Sequence, residues 1–399
     1  MDALTTPLNW QRVRLGDVAE IKRGASPRPI ENPKWFCANS NVGWVRISDI
    51  SKNSRFLYKT AQKLSKKGIE KSRFIKQNSL IMSMCATIGK PIITKIDTCI
   101  HDGFVVFENP KIDLNYLYYF LCYIEKEWLE SGQQGSQVNL NVDLIKNKEV
   151  FCPKDLNEQI AIANILSGLD HYLYSLDALI LKKESVKKAL SFELLSQRKR
   201  LKGFNQAWKK VRLGDICEFG NGEAYETLIV ENGNFKLISL NSIDIDGNLK
   251  NTMKRVNFYD NSLKQDDIVM VLSDVAHGDF LGLCAVIPSN DYVLNQRMGR
   301  LRKRNDCINI LFLRLYINAN QKYFKMQGQG SSQLNLSKKA IEDFEILLPP
   351  LNEQIAIANI LSDLDHEIIS LKNKKRQFEN VKKALNHDLM SAKIRVLKK

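Results

Sequence analysis

The stretch LNEQIAIANILS stands at residues 156–167 and again at 351–362, 195 residues apart. Leu156–Leu190 and Leu351–Leu385 align without a gap and match at 23 of 35 positions. A twelve-residue identity does not arise by chance in a chain of ordinary complexity. The chain is therefore an internal duplication whose halves each end in the same segment. From Asn157 to Lys199 there is no Pro, and the only Gly is Gly168. Apolar residues recur at heptad spacing: Ile162, Leu169, Leu176 and Leu190 in one row, Ile165, Tyr172, Leu179 and Val186 in another. The second copy supplies Ile357, Leu364, Leu371, Phe378 and Leu385 in register. This predicts a helix of about forty residues, roughly 60 Å long at 1.5 Å per residue. A narrow apolar seam is unstable by itself, so the natural partner of each copy is the other. The intervening domain must return the chain to its starting end, which favours an antiparallel pair.

The repeat reaches further out. Trp10–Asp17 reads WQRVRLGD and Trp208–Asp215 reads WKKVRLGD, so both halves open alike. A polar loop closes each module, GQQGSQVNLN at 132–141 and GQGSSQLNLS at 328–337. Between these landmarks the halves diverge almost completely. Short strand-like runs fill the gap, among them 43–50, 79–94, 103–108, 235–248, 267–274 and 280–288, each broken by turn residues. Each module also holds an aromatic-rich helical stretch, 114–131 and 308–327. The expected class is α+β: two modules with curved, mixed or mostly antiparallel sheets, joined by two long helices in an antiparallel coiled coil with an internal pseudo-two-fold. The expected segments are 1–151, 152–202, 203–347 and 348–399. Shared frames with different contents suit a frame that docks to a common scaffold while the contents carry separate specificities.

The 399 residues hold 59 Lys+Arg against 44 Asp+Glu, a net charge of +15. That excess favours a polyanionic partner, DNA or RNA first. A hydrophobic fraction of 44% with 26% charged residues belongs to a globular chain rather than a disordered one. No window approaches the length of a membrane span, and the N-terminus lacks the basic-then-apolar pattern of a signal peptide, so a cytoplasmic protein without membrane contact is expected. The eight cysteines are scattered, with no CxxC pair, and five histidines leave little for a zinc site. Phosphate-loop, GxGxxG and NPPY-type motifs are all missing, and FGNG at 219–222 reads as a turn. No catalytic residue, metal or cofactor is expected on this chain.

At the helix openings, Asn157, Glu158 and Gln159 match Asn352, Glu353 and Gln354. Asn there can cap exposed amides, and Glu favours the positive helix end. Capping does not demand identity over twelve residues, so these six are also candidates for docking a partner. The Lys pairs at 187–188 and 382–383 read as solvated faces.

Two variable domains, two long repeated helices and the helix opening LPPLNEQIAI at 348–357 resemble the specificity subunit of a type I restriction–modification system. The likeness covers essentially the whole chain; the first copy departs slightly, with FCPKDLNEQIAI at 151–162. The resemblance implies that each variable domain reads one half of a split double-stranded DNA sequence, and that the helices fix the spacer. It implies two modification subunits that methylate adenine with S-adenosylmethionine, and restriction subunits that supply ATP- and Mg-dependent translocation and cleavage. Two other readings stay open: an adaptor whose helices recruit protein, and the specificity half of a type II-like methylating nuclease.

Base reading needs amides, hydroxyls and arginines where loops begin. In the first domain the candidates are Arg46, Ser48 and Asp49, then Ser83, Thr87 and Lys90 around a Gly turn, and Gln133, Gln134, Ser136, Gln137 and Asn139 in the polar loop. In the second they are Ser239, Asn241, Ser273, His277, Asn295, Gln296 and Arg297, with Gln329, Ser331, Ser332, Gln333 and Asn335 in its polar loop. The two loops resemble each other, which argues for backbone duty as much as for specificity.

Overall fold

Both copies of LNEQIAIANILS open uninterrupted helices of 40 residues, Leu156–Leu195 and Leu351–Met390, in a computed structural model that describes residues 9–51, 55–131, 140–275 and 279–396. The chain divides into two compact units, 1–177 with 373–399 and 178–372. The cuts fall at 177/178 in one helix and 372/373 in the other, the same place in the repeat. Each unit therefore holds the first part of one long helix and the last part of the other.

Inside each unit the two helix parts run antiparallel. In the first unit Lys375 meets Asp177 at 2.6 Å and Lys382 pairs with Asp170. In the second Lys183 meets Glu367 at 2.8 Å and Lys187 pairs with Asp365. Asp170–Lys382 and Asp365–Lys187 occupy equivalent positions in the repeat. Lys187 and Lys382 are thus not solvated faces: they sit on the seam with partly covered stems, while Lys188 and Lys383 remain exposed. A partly exposed ion pair contributes on the order of 0.5 kcal/mol, against about 2 kcal/mol for burying a Leu. Apolar burial holds the helices together, and the charges select their register.

One predicted row of the seam is right and the other is displaced by a residue. Ile162 and Leu176 are buried, but Ile165, Leu179 and Val186 are exposed. The second row is Leu166, Leu173, Ile180, Lys187 and Leu194, of which Leu166, Ile180 and Leu194 are buried and Leu173 and Lys187 half-buried. From Ile162 the seam steps first by four and then by three. Ile165–Leu166 and Leu179–Ile180 are both apolar pairs, so hydrophobicity alone does not choose between them. Tyr172 is half-buried and packs its ring on Phe378, with centroids 4.7 Å apart.

The helix ends are built into the domain cores at repeat-equivalent positions. Ile162, Ala163 and Leu166 with Leu389 and Met390 join the core of the first unit. Ile357, Ala358 and Leu361 with Leu194 and Leu195 join that of the second. A polar lock completes each junction. In the second unit the buried Glu353 accepts from Trp208 Nε1 at 3.0 Å and from Arg200 at 2.6 and 3.1 Å. In the first, Glu158 accepts from Trp10 Nε1 at 3.3 Å and Asn9 Nδ2 at 2.8 Å, with Arg395 at 3.8 Å. The neighbouring Gln159 accepts from the Asp113 amide and donates to the Pro153 carbonyl, both at 2.8 Å. Gln354 does the same with Asn309 and Pro349.

These contacts overturn the docking expectation for Glu158, Gln159, Glu353 and Gln354. Their side chains are buried against their own unit because a buried carboxylate and amide must be satisfied locally. Asn157 and Asn352 stay exposed. Nor does Asn157 cap its helix: its own amide donates to Asp155 Oδ1 at 3.0 Å, so that duty falls to Asp155.

The sheets are mixed and mostly antiparallel in both units. Trp10–Arg14 pairs with Glu149–Pro153, and Lys209–Arg212 with Glu345–Leu348, closing each module beside its helix opening. The first unit adds a five-stranded sheet (20–23, 104–108, 80–83, 91–94, 56–57) and a four-stranded one (62–63, 43–45, 98–100, 73–75). In the second a four-stranded sheet (217–221, 298–303, 268–271, 284–286) stands with a three-stranded one (255–256, 235–238, 292–294). The predicted run 43–50 is only partly strand: after Gly43–Val45 the chain turns into helix Ile47–Ser51. The aromatic stretches form helices Leu114–Tyr123 with Glu125–Ser131, and Ile310–Ala319 with Gln321–Gln327. Among the described residues no helix is long and apolar enough to cross a membrane.

Candidate nucleic-acid interface

The halves diverge in sequence between their landmarks, yet their loops hang on one backbone frame. Gly43–Val45 runs parallel to Thr98–Ile100, as Phe235–Ile238 does to Tyr292–Leu294. Beyond these strands Arg46 matches Ser239, while His101, Asp102 and Gly103 match Asn295, Gln296 and Arg297. Backbone hydrogen bonds keep the two sets in step. Gly24 N–H donates to the Phe104 carbonyl at 2.9 Å and Gly222 N–H to Met298 at 3.1 Å. Met84 N–H reaches Gly103 at 2.8 Å, as Leu272 reaches Arg297 at 2.9 Å. Leu140 reaches Met84 at 3.0 Å, as Leu336 reaches Leu272 at 2.8 Å. A Cβ on Gly24 would strike the carbonyl of His101, and one on Gly222 that of Asn295. Only glycine admits this approach, which accounts for FGNG at 219–222 as strand and close crossing rather than a cofactor loop.

Within this frame the side chains differ. In the first unit Asp102 accepts from Ser26 Oγ at 2.8 Å and from Arg28 at 3.0 Å, and its carbonyl accepts from Arg23 Nε at 2.7 Å. Partial burial would raise its carboxyl, but Ser26, Arg28 and His101 hold it below the usual range. His101 packs between Trp44 and Phe104 and accepts from the Gly103 amide through Nδ1 at 2.9 Å. Burial depresses its imidazole against the pull of Asp102. Its role is packing.

In the second unit Asn295 is buried, accepting from the Tyr225 amide at 3.0 Å and donating to Glu226 Oε1 at 2.7 Å. Gln296 Nε2 donates to Glu226 Oε2 at 2.9 Å. Glu226, Ser239, Asn241, Lys254, Gln296 and Arg297 line one cleft of about 140 Å³. Burial works to raise the Glu226 carboxyl, but the amides of Gln296 and Asn295, and then the charge of Lys254, keep it below the usual range. Arg297 is exposed with φ of +68°, a left-handed conformation costing an arginine about 1 kcal/mol.

The structure therefore gathers Ser239, Asn241, Asn295, Gln296 and Arg297 from two chain segments into one place. It removes Asn295 from direct reading, because its amide is spent inside. Other candidates divide similarly. Arg46 and Ser48 are exposed at the start of helix Ile47–Ser51, whereas Asp49 is buried and accepts from the amides of Arg46 and Ala61. Ser83 is buried and donates to the Thr87 carbonyl, shaping the turn that leaves Thr87 and Lys90 half-buried. Ser273 is buried and donates to Asn335 Oδ1. Ser83 and Ser273 are corrected to loop-shaping residues. In the second polar loop Gln329 and Asn335 exchange backbone hydrogen bonds at 3.0 and 2.9 Å, which pushes exposed Ser331 and Ser332 to the tip beside half-buried Gln333. Gln133, Gln134, Ser136, Gln137, Asn139 and His277 lie outside the described residues.

Arg28, Asp102, Glu226 and Lys254 escape the sequence reading. One faint signal exists: Arg28 and Glu226 each stand four residues after the glycine of the shared frame, Gly24 and Gly222.

The family model described as the type I restriction modification DNA specificity domain matches residues 7–183 and again 205–380. The chain belongs to this family. Each of the two specificity domains thus takes in one variable module and most of the helix that follows it. The chain is 26% identical over 426 residues to the type I restriction enzyme MjaVIII specificity subunit of Methanocaldococcus jannaschii, covering 99% of this chain and 95% of that one. It is 26% identical over 168 residues to the EcoprrI specificity subunit of Escherichia coli, 40% and 41% of the two chains. In fold it is similar to the crystal structure of the type I restriction–modification S subunit from M. genitalium, with TM-score 0.64, 18% identity and 97% of each chain covered.

Proposed function

We propose that this specificity subunit is a non-catalytic reader of a split double-stranded DNA target, one half-site per unit. The observation that carries this reading is a single loop frame, Gly24 with His101–Gly103 and Gly222 with Asn295–Arg297, bearing different polar side chains in each unit. A common frame with separate contents is what reading two unlike half-sites requires. The long helices, paired as an antiparallel coiled coil about a pseudo-two-fold, set the gap between half-sites. The outer face of the repeat exposes Leu156, Asn157, Ile160 and Asn164, matched by Leu351, Asn352, Ile355 and Asn359. Internal packing does not require identity there, so this face docks two copies of a modification subunit. S-adenosylmethionine, ATP and Mg belong to the partner subunits, which supply adenine methylation, translocation and cleavage in the cytoplasm.

The test is a genome-wide map of methylated adenine with and without this gene. Loss of one motif, two short half-sites around a fixed gap, is the expected result. An unchanged map beside co-purification with a modification subunit would defeat the reading.

Arg46→Ala and Arg297→Ala address the face directly. Each is expected to weaken binding across sequences and to reduce the slope of log affinity against log salt by about 1. Fluorescence anisotropy from 50 to 200 mM salt measures it; slopes unchanged in both variants would turn these faces away from the phosphates.

A further inference from the structure

The cleft of the second unit is unusual for a basic protein because a carboxylate stands in it. Glu226 would repel a phosphate backbone, so its place on a DNA-reading face is favourable only where it accepts hydrogen bonds from a base. Its neighbours make that demand narrower. The amide nitrogens of Asn295 and Gln296 are both donated to Glu226, at 2.7 and 2.9 Å. Asn295 is buried with its oxygen accepting from the Tyr225 amide, so it cannot make the paired donor–acceptor contact by which Asn or Gln reads adenine. Gln296 is tethered by one of its two N–H donors and keeps its carbonyl oxygen and one N–H. The charged acceptor that the cleft presents is therefore the Glu226 carboxylate, with the cations Lys254 and Arg297 also lining it.

On this basis we infer that Glu226, locked by Asn295 and Gln296, is a specificity-determining residue that accepts from the exocyclic amine of a cytosine in the half-site read by the second unit. Cytosine offers N4–H₂ in the major groove with no acceptor on the same base beside it, whereas the N6–H₂ of adenine lies next to the N7 acceptor. The equivalent position in the first unit is Arg28, paired with Asp102 at 3.0 Å. Its opposite charge gives the other half-site a different requirement at the same step. The inference rests on the DNA-reading function proposed above and names one of its contacts.

Glu226→Gln keeps the shape and replaces one acceptor by a donor. The variant is assembled with its modification subunits, and adenine methylation is mapped over a library randomised at both half-sites. In the wild type one half-site should contain an obligatory cytosine. In Glu226→Gln the preference for that cytosine should fall by about tenfold to a hundredfold, with the other half-site unchanged. A second measurement uses the wild-type complex and duplexes in which each cytosine of that half-site in turn is replaced by N4-methylcytosine, which keeps the N4–H paired with guanine and replaces the one facing the major groove. Loss of at least tenfold in affinity at one cytosine, and its absence in Glu226→Gln, supports the contact and does not depend on the variant alone. Undiminished stringency in Glu226→Gln, or a uniform loss over all sites at unchanged melting temperature, overturns the assignment of Glu226 while the DNA-reading function stands. A wild-type complex that methylates without any split motif overturns both.

Discussion

Glu353→Ala is expected to destabilise the second unit by about 2–4 kcal/mol, and Glu158→Ala the first by about 1–2 kcal/mol. The two residues occupy the same position in a twelve-residue identity, so sequence alone predicts equal effects. Their surroundings do not. Glu353 is fully buried and takes three hydrogen bonds, two from the Arg200 guanidinium and one from Trp208. Its removal leaves a half-covered cation and an indole N–H without a partner. Glu158 is met by neutral donors from Asn9 and Trp10, while Arg395 stands off at 3.8 Å and is 46% exposed. Water can replace what is lost there. Urea unfolding of the two variants beside the wild type measures the difference. Equal shifts, or a shift under about 1 kcal/mol for Glu353→Ala, would mean that the lock contributes geometry but little stability.

That asymmetry shows where the duplication was legible in the sequence and where it was not. Long, strongly periodic segments declared themselves: both helices begin within a residue of the position read from LNEQIAIANILS. The fine choice between Ile165 and Leu166 did not, because adjacent apolar residues offer the seam equally and only the partner helix decides. Inside the modules the strands are mostly two to five residues long, too short for alternation to establish register. WVRISDI alternates well enough to suggest strand throughout, but the Asp49 carboxylate takes the Arg46 and Ala61 amides and turns 47–51 into a helix. The cleft shows the same limit. Asn295, Gln296 and Arg297 stand out by residue type, yet Glu226, which organises them, lies about seventy residues earlier and is marked only by its spacing from Gly222. Exposure was the other unreadable quantity. Ser83, Ser273 and Asn295 have the chemistry of base readers and spend it on bonds inside their own units, Ser83 within its turn and the other two on distant segments.

Insertion of one heptad into both long helices, at 177/178 and at 372/373, is expected to abolish methylation of the native motif and create a motif with a gap about three base pairs longer. Seven residues add about 10 Å to a helix, and the base-pair step is 3.4 Å. The two insertion points are equivalent in the repeat and coincide with the division between the units, so neither domain core is interrupted. Seven residues also return the seam to its own face, because the apolar rows repeat with that period. An insertion of four residues in both helices serves as the contrast. It turns each helix by about 40° beyond a whole turn and carries the seam rows out of register, so it should cost stability as well as specificity. Adenine methylation mapped over random DNA distinguishes the cases. A heptad variant that folds and still methylates the native gap would show that the helices do not set the spacing. A heptad variant with the longer gap and unchanged half-sites would place reading in the loops and measurement in the helices, as separate properties of one chain.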